Sequence, residues 1–248
     1  VVNNIIKRIS DKMKLIVDEV FKQFDSKKVL KGATFTFEEG KIYGLLGRNG
    51  AGKTTLFNII SKDVLLDSGN IYLLDGDRKE LDEEDLGYVI STPNVPAFLT
   101  AREFLKFFLE INDDKIKNKK TIDEYFDIVG IDDIDRDKLL KDYSHGMKNK
   151  MQMLINFIVK PRVLLLDEPL TSLDVVVAEE MKSILKEMKK DSILILSTHI
   201  MELALSLCDE IVILTNGKLE IIDKCNKSDL ELKEYIIQKL KDEQNYEE

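Results

Sequence analysis

The chain has 248 residues, of which 44% are apolar, enough to build one elaborate domain or two unequal lobes. Its 46 acidic residues outnumber 37 basic ones, the net charge is -9, and no stretch concentrates Lys and Arg into a basic stripe. Binding to nucleic acid is therefore not expected. No apolar run reaches the ~18 residues of a membrane-spanning helix, so we expect that the chain does not cross a bilayer.

The two cysteines favour a chain of the reducing cytosol, and the first residues do not have the pattern of a signal peptide. Cys208 and Cys225 have neither metal-ligand spacing nor a disulfide framework, and we expect both to be small buried apolar residues. Residues 1–12 mix apolar and charged residues without the apolar run or cleavage site of a signal peptide. We predict an N-terminal extension there, followed by structure from Met13 onward.

The first predicted elements are β-strands. Apolar and polar residues partly alternate over residues 15–24 and again over 33–37, as in strands with one face in solvent. Phe24 is a candidate to stack on the flat face of a base, and the alternative is an aromatic that closes the edge of a β-layer. Glu39-Gly40 predicts a turn into the next strand.

A short apolar strand beginning at Ile42 enters a glycine-rich turn and continues as a helix, predicted over residues 54–61. Gly47, Gly52, Lys53 and Thr54 match the phosphate-binding pattern G-x-x-x-x-G-K-[ST]. In this pattern the backbone N–H groups of the turn and of the helix start surround phosphate oxygens. We expect Lys53 to reach the outer phosphates and Thr54 to hold Mg2+.

The chain then changes from strands to helices. Asp67-Ser68-Gly69 predicts a turn into a strand at 70–74, and an acidic loop precedes another strand at 86–90. Between residues 100 and 159 the apolar spacing becomes helical. We predict a helical lobe inserted into an α/β core, with most of its aromatic residues packing inside that lobe.

The end of this helical region has a polar turn and a long helix. Residues 141–146 are predicted to form the turn, and an apolar-rich helix is predicted over 147–159. The unpaired N–H donors at the start of such a helix point outward.

Two carboxylates follow residues 163–166, a continuous apolar run typical of a central parallel strand buried on both faces. Asp167 is placed to orient water around Mg2+, and Glu168 is placed to polarise an attacking water. The alternative is an acidic cap on the next helix. Because a phosphate-binding loop is already present, we prefer the catalytic interpretation.

His199 follows another buried strand, predicted over residues 192–197, at the end where open α/β sheets bind ligands. It is placed to hydrogen-bond the terminal phosphate and the catalytic water, or alternatively to cap the next helix. Farther on, Thr215-Asn216-Gly217 predicts a hairpin turn between strands at 211–214 and 218–222. A charged helical tail is predicted from about Asp229.

Taken together, these segments resemble the ATP-binding subunit of ABC transporters, from Met13 to about Ile222. The matching motifs are the Walker A loop at 47–55, the Walker B strand with its catalytic glutamate at 163–168, the signature motif Tyr143-Ser144-His145-Gly146-Met147, the D-loop Thr171-Ser172-Leu173-Asp174, and the switch histidine His199. The signature motif separates this family from other P-loop ATPases.

The resemblance implies an α/β fold with a P-loop NTPase (RecA-like) core, an N-terminal antiparallel β subdomain and an inserted α-helical subdomain. The implied ATP-binding domain spans residues 13–222, with its core at 13–90 and 161–222 and its helical lobe at 91–160. Residues 223–248 would be a charged helical tail.

The resemblance also implies ATP and Mg2+ as cofactors, with Glu168 and His199 catalytic and with Thr54 and Asp167 at the metal. The implied ATP-binding residues are Phe24, Gly47, Asn49, Gly50, Gly52, Lys53, Thr54, Thr55, Ser144, Gly146 and Asp174.

Two positions depart from the family pattern. His145 replaces the first of the two glycines that usually follow the signature serine, although Ser144 and Gly146 remain. Ser91 stands where the family has a glutamine that joins Mg2+, water and the permease contact. Because a hydroxyl is too short to span that distance, either a water bridges the gap or the coupling differs.

The family mechanism requires two cassettes that close head to tail, with ATP between residues 47–55 of one copy and 144–147 of the other. We therefore expect a homodimer with ATPase activity that acts on separate integral membrane permease subunits docked near residues 91–108. The expected location is cytoplasmic, on the inner face of the cell membrane. We favour an exporter; the alternatives are a non-transport ABC ATPase acting on a macromolecular complex and an importer ATPase.

Overall fold

The computed structural model describes residues 12–116, 118–170, 173, 175–224 and 228–242. In this part of the chain the strands are β1 (Lys14–Phe24), β2 (Lys27–Glu38), β3 (Ile42–Leu46), β4 (Ser68–Asp75), β5 (Asp77–Glu80), β6 (Leu86–Val89), β7 (Val163–Asp167), β8 (Ile193–Ser197), β9 (Glu210–Thr215) and β10 (Lys218–Ile222).

In the same residues, all the α-helices except the first lie after β6. They are α1 (Lys53–Ile60), α2 (Ala101–Ile111), α3 (Ile122–Ile128), α4 (Asp133–Arg136), α5 (His145–Val159), α6 (Val175–Met188), α7 (Met201–Leu207) and α8 (Asp229–Asp242). Short 3-10 turns occupy Glu83–Asp85 and Leu140–Asp142.

The first sheet is antiparallel, with strand order β2-β1-β4-β5. In β1 the side chains of Leu15, Val17 and Val20 are fully buried. The burial changes from odd to even positions because Glu19 has a left-handed backbone with φ 46° at a register shift, and this inserts one extra residue into the alternation. The bulge keeps the apolar side of a long, twisted strand on the core.

The second sheet has the order β10-β9-β3-β8-β7-β6. Every pair is parallel except β9 with β10. All residues of β3, β7 and β8 are buried, as expected for central parallel strands covered on both faces. Gly47, Glu168 and Thr198 directly follow these three strands, so the parallel register brings them to one edge of the sheet.

Helices α2 to α5 fill the segment between β6 and β7, and two of them begin with a capping box. The hydroxyl of Thr100 accepts from the backbone of Glu103, whose carboxylate accepts from the backbone of Thr100. Thr121 and Glu124 repeat the arrangement. These reciprocal bonds satisfy N–H groups at each helix start and fix where each helix begins.

The charged tail contains α8, which packs back onto the core. Leu232 and Ile236 are buried, and Lys233 forms an ion pair of 2.7 Å with Glu202 of α7. Apolar spacing of three to four residues thus gives the helix one buried face. In the described residues we find no helix with both the length and the apolar character needed to cross a bilayer.

Several local predictions differ from the structure at their boundaries. The predicted turn at 67–69 is wrong in part, because β4 already begins at Ser68 and pairs with Phe21 of β1. The acidic loop before β6 also contains β5, whose all-charged residues pair with β4 through the backbone. The predicted hairpin turn is present, with Asn216 and Gly217 both at positive φ as in a type I′ turn, and β9 extends one residue further than predicted, to Thr215.

Both predicted loop-to-helix junctions also shift. Helix α5 begins at His145, two residues before the predicted start, because the hydroxyl of Ser144 accepts from the N–H of Met147 at 3.2 Å and caps the helix. Helix α1 begins at Lys53 rather than Thr54. Cys208 is buried as predicted, whereas Cys225 lies outside the described residues.

Candidate functional site

The turn after β3 needs glycine for two different reasons. Gly50 and Gly52 have φ of 82° and 106°, a region that side chains disfavour. A Cβ on Gly52 would lie 2.7 Å from Cγ1 of Val29, and one on Gly47 would lie 2.9 Å from the carbonyl oxygen of Leu214. The backbone of the loop therefore approaches its surroundings more closely than any side chain permits.

Helix α1 starts immediately after Gly52, which has no side chain to cap it. The first-turn N–H groups of a helix have no partner within the helix, and the positive end of its dipole lies there. No acidic side chain occupies the first turn of α1. The loop and the helix start thus present backbone donors suited to phosphate oxygens.

Lys53 holds its ammonium over this loop. Its side chain is 9% exposed, and Nζ donates to the carbonyl oxygens of Gly47 at 2.8 Å and Arg48 at 3.2 Å. A buried cation beside the backbone donors of the loop attracts anions to this point.

Asp167 ends β7 and lies between two hydroxyl groups. Thr54 Oγ1 donates to its Oδ2 at 3.3 Å, and the hydroxyl of Ser197 donates to its Oδ1. A carboxylate oxygen and a hydroxyl at this separation suit Mg2+, which takes one or two protein oxygens together with phosphate oxygens and water. The residues present therefore fit the cation that the sequence implied.

Glu168 has an unusual backbone and a histidine partner. Its φ is 52°, and its N–H donates to the carbonyl of Ser197 at 3.1 Å. Oε1 lies 2.8 Å from Nδ1 of His199, and Thr198 Oγ1 donates to Oε2 at 3.4 Å. The carboxylate is consequently held at the end of the sheet by contacts from the neighbouring strand.

One open cavity of about 380 Å³ contains most of the predicted site residues. The ones that line it are Phe24, Asn49, Gly50, Gly52, Lys53, Thr54, Thr55, Asp167 and Glu168. Phe24 is 45% exposed at the end of β1, and the Lys22 ammonium lies 5.1 Å from the centre of its ring. Gly47 and His199 line an adjoining cavity that shares Asn49.

Ser144 and Gly146 are not among the described residues that line either cavity. Ser144 is exposed and caps α5. Asp174 lies outside the described residues. Ser91, the residue in the place of the family's glutamine, lines the same cavity as Glu168.

The sequence interpretation missed four residues at this edge. Ser197 and Thr198 hold the two carboxylates, and Lys27 and Val29 line the cavity from β2. The consecutive hydroxyls before His199, at the end of a buried strand, were the available clue. For Lys27 and Val29 the sequence offers no such clue, because the fold alone brings β2 to the loop.

Comparison with known proteins places the chain in one family. A family model described as ABC transporter matches residues 30–171. The uncharacterised ABC transporter ATP-binding protein YxlF of Bacillus subtilis strain 168 is 32% identical over 206 residues, which cover 83% of this chain and 69% of the relative. An uncharacterised ABC transporter ATP-binding protein of Methanocaldococcus jannaschii is 33% identical over 222 residues, covering 87% and 81%. A probable sulfate/thiosulfate import ATP-binding protein, CysA of Chlorella vulgaris, is 30% identical over 212 residues, covering 84% and 89%.

Solved structures agree with the fold class. An ATP-binding subunit of an ABC transporter matches with a TM-score of 0.75 and 24% identity over 90% of this chain and 99% of that one. A dimeric ATP-binding cassette, MJ0796, in a post-hydrolysis state with ADP and Pi matches with a TM-score of 0.71 and 20% identity, covering 86% and 100%. These matches confirm the predicted P-loop NTPase fold. The family match and the relatives show that the chain belongs to the ABC transporter family, as an ATP-binding subunit with ATPase activity that uses ATP and Mg2+.

Proposed function

We propose that this chain hydrolyses ATP in the cavity between residues 47–55 and the pair Asp167-Glu168, and that it thereby drives a separate membrane permease in the direction of export. The observation that carries the site assignment is that a cation, a hydroxyl and two carboxylates, from Lys53, Thr54, Asp167 and Glu168, line one cavity with a glycine-rich loop. A phosphate-binding loop beside acidic side chains suits phosphoryl transfer to water.

In this proposal the loop and Lys53 bind the phosphates, while Phe24 covers the base. The N–H groups of residues 47–55 donate to phosphate oxygens, and the Lys53 ammonium offsets the charge of the outer phosphates. Asn49, Gly50 and Thr55 form the rest of the wall. Stacking on an aromatic ring contributes ~1 to 3 kcal/mol in nucleic-acid-binding proteins and tolerates any base.

Thr54 and Asp167 would hold the metal. The hydroxyl of Ser197 keeps Asp167 in place from β8, so the two oxygens proposed for the metal come from a helix start and a strand end. A Mg2+ ion held by these two oxygens would offset the negative charge that develops on the phosphate oxygens.

Glu168 acts as the general base. Its carboxylate accepts a proton from the water that attacks the γ-phosphorus, and the bond from that phosphorus to the bridging oxygen breaks as ADP leaves. His199 Nδ1 lies 2.8 Å from the carboxylate and orients it beside the terminal phosphate. Lys53 and the loop amides stabilise the transition state by binding its charge.

The second half of the site comes from another copy. Ser144 is exposed at the capped start of α5, where backbone N–H groups are directed outward. We infer that Ser144 and Gly146 of a second copy contact the nucleotide and that Asp174 joins this contact. A solved structure of the same fold, a dimer with ADP and Pi, supports the pairing of two copies.

The domain division and the permease contact form the next part of the proposal. We assign the ATP-binding domain to residues 13–222, with a helical lobe at 91–160, a tail at 223–248 and an extension at 1–12. Phe98 and Phe107 are 79% and 54% exposed, and apolar exposure of this kind favours a partner surface. The permease would dock near residues 91–108, on the inner face of the membrane.

Export and import are distinguished by the cargo's direction. We favour export because of the Ser-x-Gly-Met form of the signature motif, whereas the similarity to a sulfate/thiosulfate import protein favours import. The test is to co-express the chain with a candidate permease from a neighbouring gene and to measure transport in inside-out vesicles. ATP-driven uptake into such vesicles corresponds to export, and ATP-driven loss corresponds to import.

Replacing Glu168 tests the proposed base. In Glu168→Gln we expect ATP turnover to fall on the order of 100-fold or more, because the amide accepts no proton from water. An ATP-bound dimer should accumulate on size-exclusion chromatography, since hydrolysis no longer separates the copies. Glu187→Gln, an exposed carboxylate paired with Lys190, is the control and should keep wild-type turnover. Wild-type turnover in Glu168→Gln would remove Glu168 from the role of base.

A further inference from the structure

Helix α5 carries three buried amide side chains, which we call the amide stripe: Asn149, Gln152 and Asn156. They are 3%, 6% and 6% exposed, and their spacing of three and four residues places them on one side of the helix. Buried amides are unfavourable unless they are hydrogen-bonded. Their partners therefore indicate what the stripe contributes.

Asn149 reaches the segment that follows the proposed catalytic base. Its Nδ2 donates to the carbonyl oxygen of Pro169, the residue directly after Glu168. Its Oδ1 is, among the described residues, the buried side-chain polar atom that has no hydrogen-bond partner. A leucine would fill a similar volume without that unpaired oxygen. The bond to Pro169 is therefore the contribution of this side chain that an apolar residue cannot replace.

Gln152 makes a similar contact at the end of the neighbouring strand, β6. Its Nε2 donates to the carbonyl oxygen of Ile90 at 3.3 Å, just after β6 ends. The next residue is Ser91, which lines the ATP cavity. One helix thus donates side-chain hydrogen bonds to the residues beside two walls of that cavity.

The same helix begins at the surface that the proposed function assigns to the partner's nucleotide. Ser144 caps α5, and Asn149 follows it after about 7.5 Å of helix rise. Because an α-helix moves as a hydrogen-bonded rod, a displacement at Ser144 also displaces Asn149 and Gln152. Pro169 and Ile90 are tied to those two amides.

We propose that Asn149 and Gln152 are positioning residues that transmit the contact of Ser144 with the nucleotide of a second copy to Glu168 and Ser91 of their own copy. This inference rests on the proposed function. Gln152 also connects α5 to the segment at Ser91, the position at which this chain lacks the family's glutamine.

Asn156 provides a control within the stripe. Its Nδ2 donates to the backbone carbonyl of Gln152 at 2.8 Å, inside the same helix. Removing this amide takes away a buried hydrogen bond without cutting a connection to the cavity. Asn156→Leu therefore measures what the loss of a buried amide on α5 does by itself.

The test compares Asn149→Leu, Gln152→Met and Asn156→Leu in purified full-length protein, with kcat, KM for MgATP and melting temperature measured for each. For the first two we expect kcat to fall on the order of 10- to 100-fold, because misplacing a catalytic group weakens the reaction step. KM should stay within about twofold, since the phosphate-binding residues are unchanged. Asn156→Leu should keep wild-type kcat whatever its melting temperature.

A second measurement separates positioning from a general loss of structure. In the Glu168→Gln background, Asn149→Leu and Gln152→Met should still form the ATP-dependent dimer, because Ser144 is intact. Equal kcat in all three variants, or loss of the dimer together with kcat, would overturn the proposal. If Asn149→Leu does not fold, Gln152→Met carries the same comparison.

A wild-type protein without ATP turnover would overturn the proposed function and this inference with it. An active wild type with unaffected variants would overturn this inference alone.

Discussion

At the scale of single residues, the site depends on backbone geometry as much as on charge. Lys53 and Thr54 follow a turn in which Gly50 and Gly52 have positive φ, and Gly52 also lies against Val29. The same turn sets the start of α1 and hence the direction of its first N–H groups. Small changes in the backbone should therefore affect phosphate binding even where every charged side chain is kept.

Substituting Gly50 and Gly52 in turn measures backbone strain separately from steric contact. Gly50→Ala should lower the free energy of unfolding by about 1 to 2 kcal/mol, because alanine disfavours positive φ. Gly52→Ala should lose a further ~1 to 3 kcal/mol, because its Cβ would also lie 2.7 Å from Val29 Cγ1. Urea unfolding without nucleotide measures both.

Val29→Ala, added to Gly52→Ala, should recover the steric part of that loss and leave the part due to φ. Equal losses for the two glycine variants would show that the contact with Val29 does not constrain the loop.

Apart from Phe24, the residues predicted in these two cavities share one property: each belongs to a contiguous motif or lies just after a buried strand. The Gly47-to-Thr54 pattern and the pair Asp167-Glu168 are visible in the sequence for that reason. Ser197 is different, because its bond to Asp167 depends on the register that places it opposite Asp167 in β8. Contacts set by strand register have no local pattern in one sequence.

At the scale of elements, the fully buried strands were predicted and the charged strand β5 was not. The fully buried strands β3, β7 and β8 appear in the sequence as continuous apolar runs. Strand β5 contains only charged residues and pairs with β4 at the edge of its sheet. An exposed edge strand forms through backbone hydrogen bonds, so hydrophobic patterning cannot indicate it.

The start of β3 is anchored by Asp209, which offers a test by pH. Its Oδ2 accepts from the N–H of Ile42 at 2.7 Å and its Oδ1 from Lys189 Nζ at 2.7 Å. Burial alone would raise the pKa of Asp209, but these two hydrogen bonds outweigh it and the pKa is lowered. Because the pKa is lowered in the folded state, the ionised carboxylate stabilises the protein above the unfolded pKa of about 3.9. This stabilisation is lost as pH falls through the folded pKa.

Asp209→Asn should therefore be less stable than wild type at pH 7, and the difference should shrink at pH 3. Urea unfolding of both proteins at the two pH values measures this. A difference in unfolding free energy that stays constant with pH would contradict the anchoring role of the carboxylate.

At the scale of the whole molecule, one copy brings the phosphate loop and the carboxylates together in one cavity, whereas its own Ser144 does not line that cavity. The parallel sheet gathers the first group because its central strands end at one edge. The described tail returns to the same region, since Leu240 of α8 lines the cavity beside Gly47 and His199. The sequence predicted the tail as a helix but not where it packs, because that contact joins distant parts of the chain.

The central claim is that ATP is bound by residues 47–55 of one copy and by Ser144 of a second. The most direct measurement is the ATP turnover of an equimolar mixture of Lys53→Ala and Ser144→Arg proteins, each inactive alone. A mixed dimer contains one site with both residues intact, so the mixture should recover about a quarter of wild-type turnover if half of the dimers are mixed and the sites are independent. A mixture no more active than its two components would contradict the claim.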